Sequence, residues 1–142
     1  GYNRAMDEAG FSIRPGWVLL GDYSRNYGAA AASVLLEAPS PPTAILACSD
    51  YIAIGVIQTV RALGLSIPND ISLVGFDDMA FAALVDPPLT TIRQPVGAMG
   101  ELAVKHLLAL LEGTPPPDET RLPVELVIRN SVAPPAQHAD PN

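Results

Sequence analysis

The sequence predicts an α/β fold, a mostly parallel sheet covered by helices on both faces, and three observations predict it. Short apolar runs alternate with longer stretches of helical periodicity, Gly and Pro punctuate the junctions, and the apolar runs end in polar residues able to cap a following helix. Parallel strands need crossover segments, which helices of this length supply. The 142 residues, 49% of them hydrophobic, suffice for one domain with a real core.

"GYNRAMDEAG" reads as a helix, with Tyr2, Ala5, Met6 and Ala9 at helical spacing and Gly10 as its stop. "WVLLGDY", Trp17 to Tyr23, is an apolar run between Arg14-Pro15-Gly16 and Ser24-Arg25-Asn26, and is expected to be a buried strand. "YGAAAASVLLEA" follows as a helix with Tyr27, Ala31, Val34 and Leu35 on one face, stopped by the prolines of "PSPPT". Ala44 to Cys48 is the second strand. Ser49 or Asp50 caps the next helix, whose inward stripe is Ala53, Val56, Ile57, Val60 and Leu63, and Gly64 closes it. Ile71 to Phe76 is the third strand, and Asp77 or Asp78 caps a short apolar helix ending at Asp86-Pro87-Pro88. Leu89 to Gln94 is extended, Val96 to Leu111 is a helix with Met99, Ala103, Leu107 and Leu110 inward, and "PVELVIRNSV" is the last strand. The tail, 134–142, is expected to be disordered.

Composition excludes several functions. A net charge of −7 and eight scattered Lys and Arg residues leave no basic track for a phosphate backbone, so the chain is not expected to bind nucleic acid by itself. The single cysteine, Cys48, rules out an internal disulfide or a multi-cysteine metal site; inside an apolar run it reads as a buried, inert thiol. That fits a reducing, cytoplasmic setting. No apolar run approaches the ~18 residues of a membrane span, and no signal-peptide pattern opens the chain. Because the sequence begins inside an apparent helix, it is expected to be the later part of a longer protein.

The three strand ends carry the chemistry. Gly21-Asp22-Tyr23, Ser49-Asp50 and Asp77-Asp78 place hydroxyls, carboxylates and a ring along one sheet edge, where open parallel sheets bind ligands. Such a set suits a polyhydroxylated small molecule: carboxylates accept paired hydrogen bonds from hydroxyls while an aromatic face covers a sugar ring. Helix capping is the plainer role for Asp50 and Asp78. Asp77 has no such duty if Asp78 caps. Catalysis is disfavoured, since Lys105 is the lone lysine in a distal helix and His106 and His138 lie far from Ser49 and Cys48. No GxGxxG or lysine-bearing phosphate loop is present, and no catalytic residue, metal or cofactor is expected. Met79, Phe81, Leu84 and Val85 crowd more than one side of a short helix, as a surface for another chain or a helix wedged against the sheet would.

These residues also resemble a known family. "PTAILACSDYIAIGVIQTVRALGLSIPNDISLVGFDDMAFAALVDPPLTTIRQP", Pro42 to Pro95, with "LVIRNSV" near the end, resembles the lactose-repressor/galactose-repressor (LacI/GalR) family of bacterial transcription regulators. The resemblance implies the C-terminal part, 1–133, of a Rossmann-like, periplasmic-binding-protein-like (type I) effector domain of three-layer α/β/α build. It implies that 89–113 crosses to an N-terminal subdomain, and that the helix-turn-helix domain lies outside this sequence, as does the family's effector-contacting Arg. Carried over by motif, Asp77 is the acid that binds effector hydroxyls, Tyr23 the stacking aromatic and Gln94 a cleft-lining residue. Ser49 stands where many members have Asn, which leaves the effector's identity open, and Asp50 joins the site or caps the helix. The implied homodimer interface is Ile54, Gln58, Phe81, Leu84 and Val85. The implied function is effector sensing, of a sugar or nucleoside-like compound, by a regulator that meets operator DNA only through its absent headpiece. A periplasmic sugar-binding protein of a transporter and an enzyme on a similar scaffold are the alternatives.

Overall fold

Four strands make one sheet in the computed structural model, which describes residues 1–135: β1 (Ala44–Leu46), β2 (Ser72–Asp77), β3 (Thr90–Arg93) and β4 (Glu125–Val127), in the order β1-β2-β3-β4. β1, β2 and β3 run parallel, and β4 pairs antiparallel with β3, Arg93 opposite Glu125. The helices are α1 (Tyr2–Glu8), α2 (Arg25–Leu36), α3 (Asp50–Ala62) and α4 (Val96–Leu111), with a single 3-10 turn at Ala80–Ala83. The fold is therefore mixed α/β with a parallel-dominated open sheet.

The core lies between α2, α3 and the β1–β2 pair. Ala53, Val56, Ile57 and Val60 of α3 are buried at their predicted spacing against Ile45, Ala47, Ile71 and Leu73, and burying a side chain such as Val60 contributes about 1.5 kcal/mol or more. Leu63 is exposed, because Gly64 turns the chain away through φ 72°. Ser24 and Ser49 cap α2 and α3, each Oγ accepting a backbone N–H, from Tyr27 at 3.0 Å and from Tyr51 at 3.1 Å. The helices touch backbone to backbone. A Cβ on Gly55 would stand 2.0 Å from the Arg25 carbonyl oxygen, and one on Gly28 would stand 2.2 Å from that of Ile52. This approach explains why α2 buries Gly28 and Ala32, whereas Val34 of the larger-residue stripe expected inward stays exposed.

Several expectations are corrected. Trp17 to Tyr23 forms no strand: a strand needs a hydrogen-bonded neighbour, and a cleft of about 180 Å³ separates this segment from the free edge of β1, leaving Leu20 exposed. Cys48 is exposed, because Ile45 and Ala47 take the core face and alternation puts Leu46 and Cys48 on the other. The short apolar helix after Asp78 shrinks to the 3-10 turn, whose N-cap position is Met79 with no side-chain bond. α4 spans its predicted residues yet buries none of them, Met99, Ala103, Leu107 and Leu110 included; α1 likewise buries none. The last strand holds only Glu125–Val127. Beyond it, Ser131 fastens the chain, its Oγ accepting the Thr90 N–H at 2.8 Å and donating to the Leu73 carbonyl at 2.6 Å. Of the expected tail, Pro134 and Pro135 are irregular, and residues from 136 onward, with His138, lie outside the described residues.

Candidate functional site

β2 ends at Asp77, with φ 112°, and Asp78 follows it at φ 55°, two consecutive residues of positive φ. Side chains other than Gly resist this region, Asp less than most, so surrounding contacts must hold the pair there. Asp78 supplies the strongest hold. Its buried carboxylate accepts from Arg129 Nη2 at 2.6 Å and Arg93 Nε at 2.7 Å; Arg129 Nη1 also donates to the Leu89 carbonyl at 2.7 Å, and Arg93 Nη1 to Glu125 Oε2 at 2.9 Å. Burial works to raise the Asp78 carboxyl, but the hydrogen bonds and charges of Arg129 and Arg93 outweigh it and hold the group below its ordinary value. Asp78 is thus no helix cap but an anchor.

Freed of that duty, Asp77 faces the next strand. The register sets Arg93 opposite Asp77, and the adjacent Gln94 donates from Nε2 to Asp77 Oδ1 at 2.6 Å. Among the described residues no donor reaches Asp77 Oδ2. A half-buried carboxylate with one oxygen fixed and the other open can accept a hydroxyl or a ring N–H.

Behind this pair lies Asp50, fully buried. It is not the cap of α3, since Ser49 is; it reaches past the helix end, Oδ2 accepting the Met79 N–H at 2.8 Å and Oδ1 the Thr91 hydroxyl at 2.7 Å. Gly75 makes room, for a Cβ there would stand 2.2 Å from Asp50 Oδ1. Burial raises the Asp50 carboxyl, the bonds from Thr91 and Met79 pull it back, and the charges of Asp77 and Asp78 add to the rise, leaving it above its ordinary value.

Of the five expected site residues, the structure brings Asp77 and Gln94 together and sets Asp50 behind them with both oxygens engaged. Ser49 is buried, its Oγ occupied as cap. Tyr23 is exposed at the cleft beside β1, with Trp17 and Tyr27, and that cleft includes neither Asp77 nor Gln94. Sequence reasoning missed Arg93 and Arg129. Their signal was present: an acid ending a buried strand needs a cation, and the "TTIRQP" and "LVIRNSV" segments each carry one arginine. Of the expected interface residues, Leu84 is 83% exposed, Ile54 half-buried and Gln58 exposed; Phe81 packs edge-on against Tyr51 with ring centroids 5.2 Å apart. Val85 packs on the core, as the wedged alternative has it.

A strand-end carboxylate bonded from the segment after the neighbouring strand lies at the edge where open, mostly parallel α/β sheets place their ligand sites. Residues 1–132 match the periplasmic binding protein-like domain, and the chain belongs to that family, within its LacI-type regulator branch. It is 48% identical over 112 residues to the HTH-type transcriptional regulator MalR of Streptomyces coelicolor, covering 78% of this chain and 32% of that protein. A regulatory protein of the LacI family from Chloroflexus aggregans superposes with TM-score 0.82 at 34% identity, over 94% of this chain and 48% of that one. The transcriptional regulator CelR in complex with cellobiose gives TM-score 0.81 at 32% identity, over 92% of this chain and 40% of that one. The chain thus spans about a third of the length of the first curated relative and about half of the Chloroflexus chain. No helix among the described residues is long and apolar enough to cross a membrane.

Proposed function

We propose that this chain is the effector-binding and dimerisation module of a cytoplasmic LacI-type repressor. The observation that carries the reading is the Asp77–Gln94 pair at the carboxyl end of β2, with Asp77 Oδ2 open to a hydroxyl-bearing ligand. The effector is a sugar or nucleoside-like compound; the cellobiose complex of CelR favours the sugar. Residues 89–113 belong with an N-terminal subdomain supplied by the rest of the polypeptide, which accounts for an α4 that buries nothing here. Leu84, Phe81, Ile54 and Gln58, on α3 and the segment after β2, face a second copy of the chain. Effector binding biases the arrangement of that dimer, and DNA affinity changes at the distant headpieces without a bond being made or broken. The regulator relatives favour this over a periplasmic transport component or an enzyme.

Thermal shift of the full-length protein against maltose, cellobiose, ribose and cytidine tests the site. At least one compound should raise Tm, and Asp77→Asn should cut its affinity about tenfold, as losing a charged acceptor predicts. Unchanged binding by that variant would remove Asp77 from the site.

A further inference from the structure

The Asp77 carboxylate can meet a ligand only while the chain holds its two left-handed residues, and the hold has two sides. Asp78 and its arginines grip one. On the other, the first backbone N–H after the pair, that of Met79, is bound by Asp50 at 2.8 Å, while the same carboxylate takes the Thr91 hydroxyl at 2.7 Å, three residues before Gln94. Thr91 is paired with Gly75, whose missing side chain is the space Asp50 Oδ1 occupies.

We propose that Asp50 is a positioning residue: its buried carboxylate locks the turn after β2 to β3 and thereby aims Asp77 and Gln94 at the effector. The proposal rests on reading Asp77 as the effector's acceptor. Ser49 already caps α3, and although Asp50 stands in the first turn it spends both oxygens outside its own helix, on Met79 and Thr91; a fully buried carboxylate is costly unless such bonds offset the burial. Its two oxygens tie the turn that follows Asp77 to the strand that leads into Gln94. Without the Met79 bond the turn can relax toward ordinary extended backbone, which swings the Asp77 side chain toward the other face of the sheet. An amide could do the same work, Oδ1 accepting from Met79 and Nδ2 donating to the Thr91 hydroxyl oxygen, so the conservative variant separates geometry from charge.

The test uses the full-length protein, whichever of the four compounds above binds it, and the side-chain amide resonance of Gln94, which reports the 2.6 Å bond to Asp77 without any ligand. Asp50→Ala should move that resonance to the position of a free glutamine and weaken binding about tenfold or more, while Asp50→Asn stays within about threefold of the parent. Val60→Ala, a cavity in the core of the same helix, should lower Tm while leaving the resonance and the affinity in place. An unmoved Gln94 resonance in Asp50→Ala overturns the proposal, as does an equal loss of affinity in Val60→Ala. If Asp50→Ala does not fold, Thr91→Val decides: it removes one of the two anchors nearly isosterically, and an unmoved resonance overturns the proposal. A resonance that moves in Asp50→Ala while Asp77→Asn binds normally means that Asp50 positions Asp77 but that Asp77 is not the acceptor.

Discussion

The α2–α3 half of the chain and its α4–β4 half are both built on apolar helices, α4 the most apolar of them, and have opposite fates. α3 buries Ala53, Val56, Ile57 and Val60, and its backbone touches that of α2 at Gly28 and Gly55. α4 is longer and richer in leucine, yet Leu107, Leu108, Leu110 and Leu111 are all exposed. Periodicity and propensity suffice to form a helix; whether its stripe is buried depends on a surface that periodicity does not supply. Within one chain, then, a strong apolar stripe marks a core only where a facing element is at hand, and otherwise stays at the surface.

Breaking the tight half should cost most. Gly55→Val sets side-chain atoms where the Arg25 carbonyl oxygen lies 2.0 Å from a bare Cβ, and should lose about 3 kcal/mol by urea denaturation. A loss under about 1 kcal/mol would mean that the helices part freely. Next comes the junction between the halves. Arg129→Met leaves the buried Asp78 carboxylate with Arg93 alone and should cost about 2–3 kcal/mol, less than removing both partners.

The same junction gives a pH signature. Asp78, held below its ordinary 3.8 when folded, contributes stability that is complete above that value and is lost as pH falls through the lower folded value. Asp50, raised when folded, runs the other way: its cost is present at neutral pH and is relieved as pH falls through the raised value. Acid unfolding followed by circular dichroism should therefore be less steep below pH 3.8 in Arg129→Met, and an unchanged slope would remove Asp78 as its source. The smallest effect belongs to the loose half. Leu107→Lys should change the stability of the 142-residue chain by less than about 0.5 kcal/mol, whereas a loss above 1 kcal/mol would show α4 to be packed.

What was legible in the sequence follows the same division. The strand at Ala44, the α3 stripe and the extent of α4 could be read because they depend on local pattern, and the "GFDD" acids because they stand where a strand must end. The strand expected at Trp17 failed because pattern cannot show that the neighbouring edge lies out of hydrogen-bonding reach. At the site, Asp77 stood out as a strand-end acid and Gln94 was reached only through the family resemblance; that the two meet depends on the register setting "GFD" beside "TIRQ", which local pattern does not carry. The roles of Asp50 and Asp78 were misassigned because helix capping is a short-range rule. Both carboxylates instead bind partners 15 to 51 residues away: Asp50 takes Met79 and Thr91, Asp78 takes Arg93 and Arg129.

The way α4 joins the sheet has a mechanical side. It leaves from the end of β3 and its chain returns at the start of β4, and the two junction residues, Arg93 and Glu125, are paired across the strands and joined by an ion pair of 2.9 Å. A tug on α4 therefore loads the β3–β4 ladder in the peeling direction, one rung at a time, rather than in shear against all rungs together. The first rung to feel it is the Arg93–Glu125 clasp, and Arg93 also holds Asp78 at 2.7 Å, next to Asp77. A displacement of α4 would thus reach first the clasp beside the turn that carries the open carboxylate.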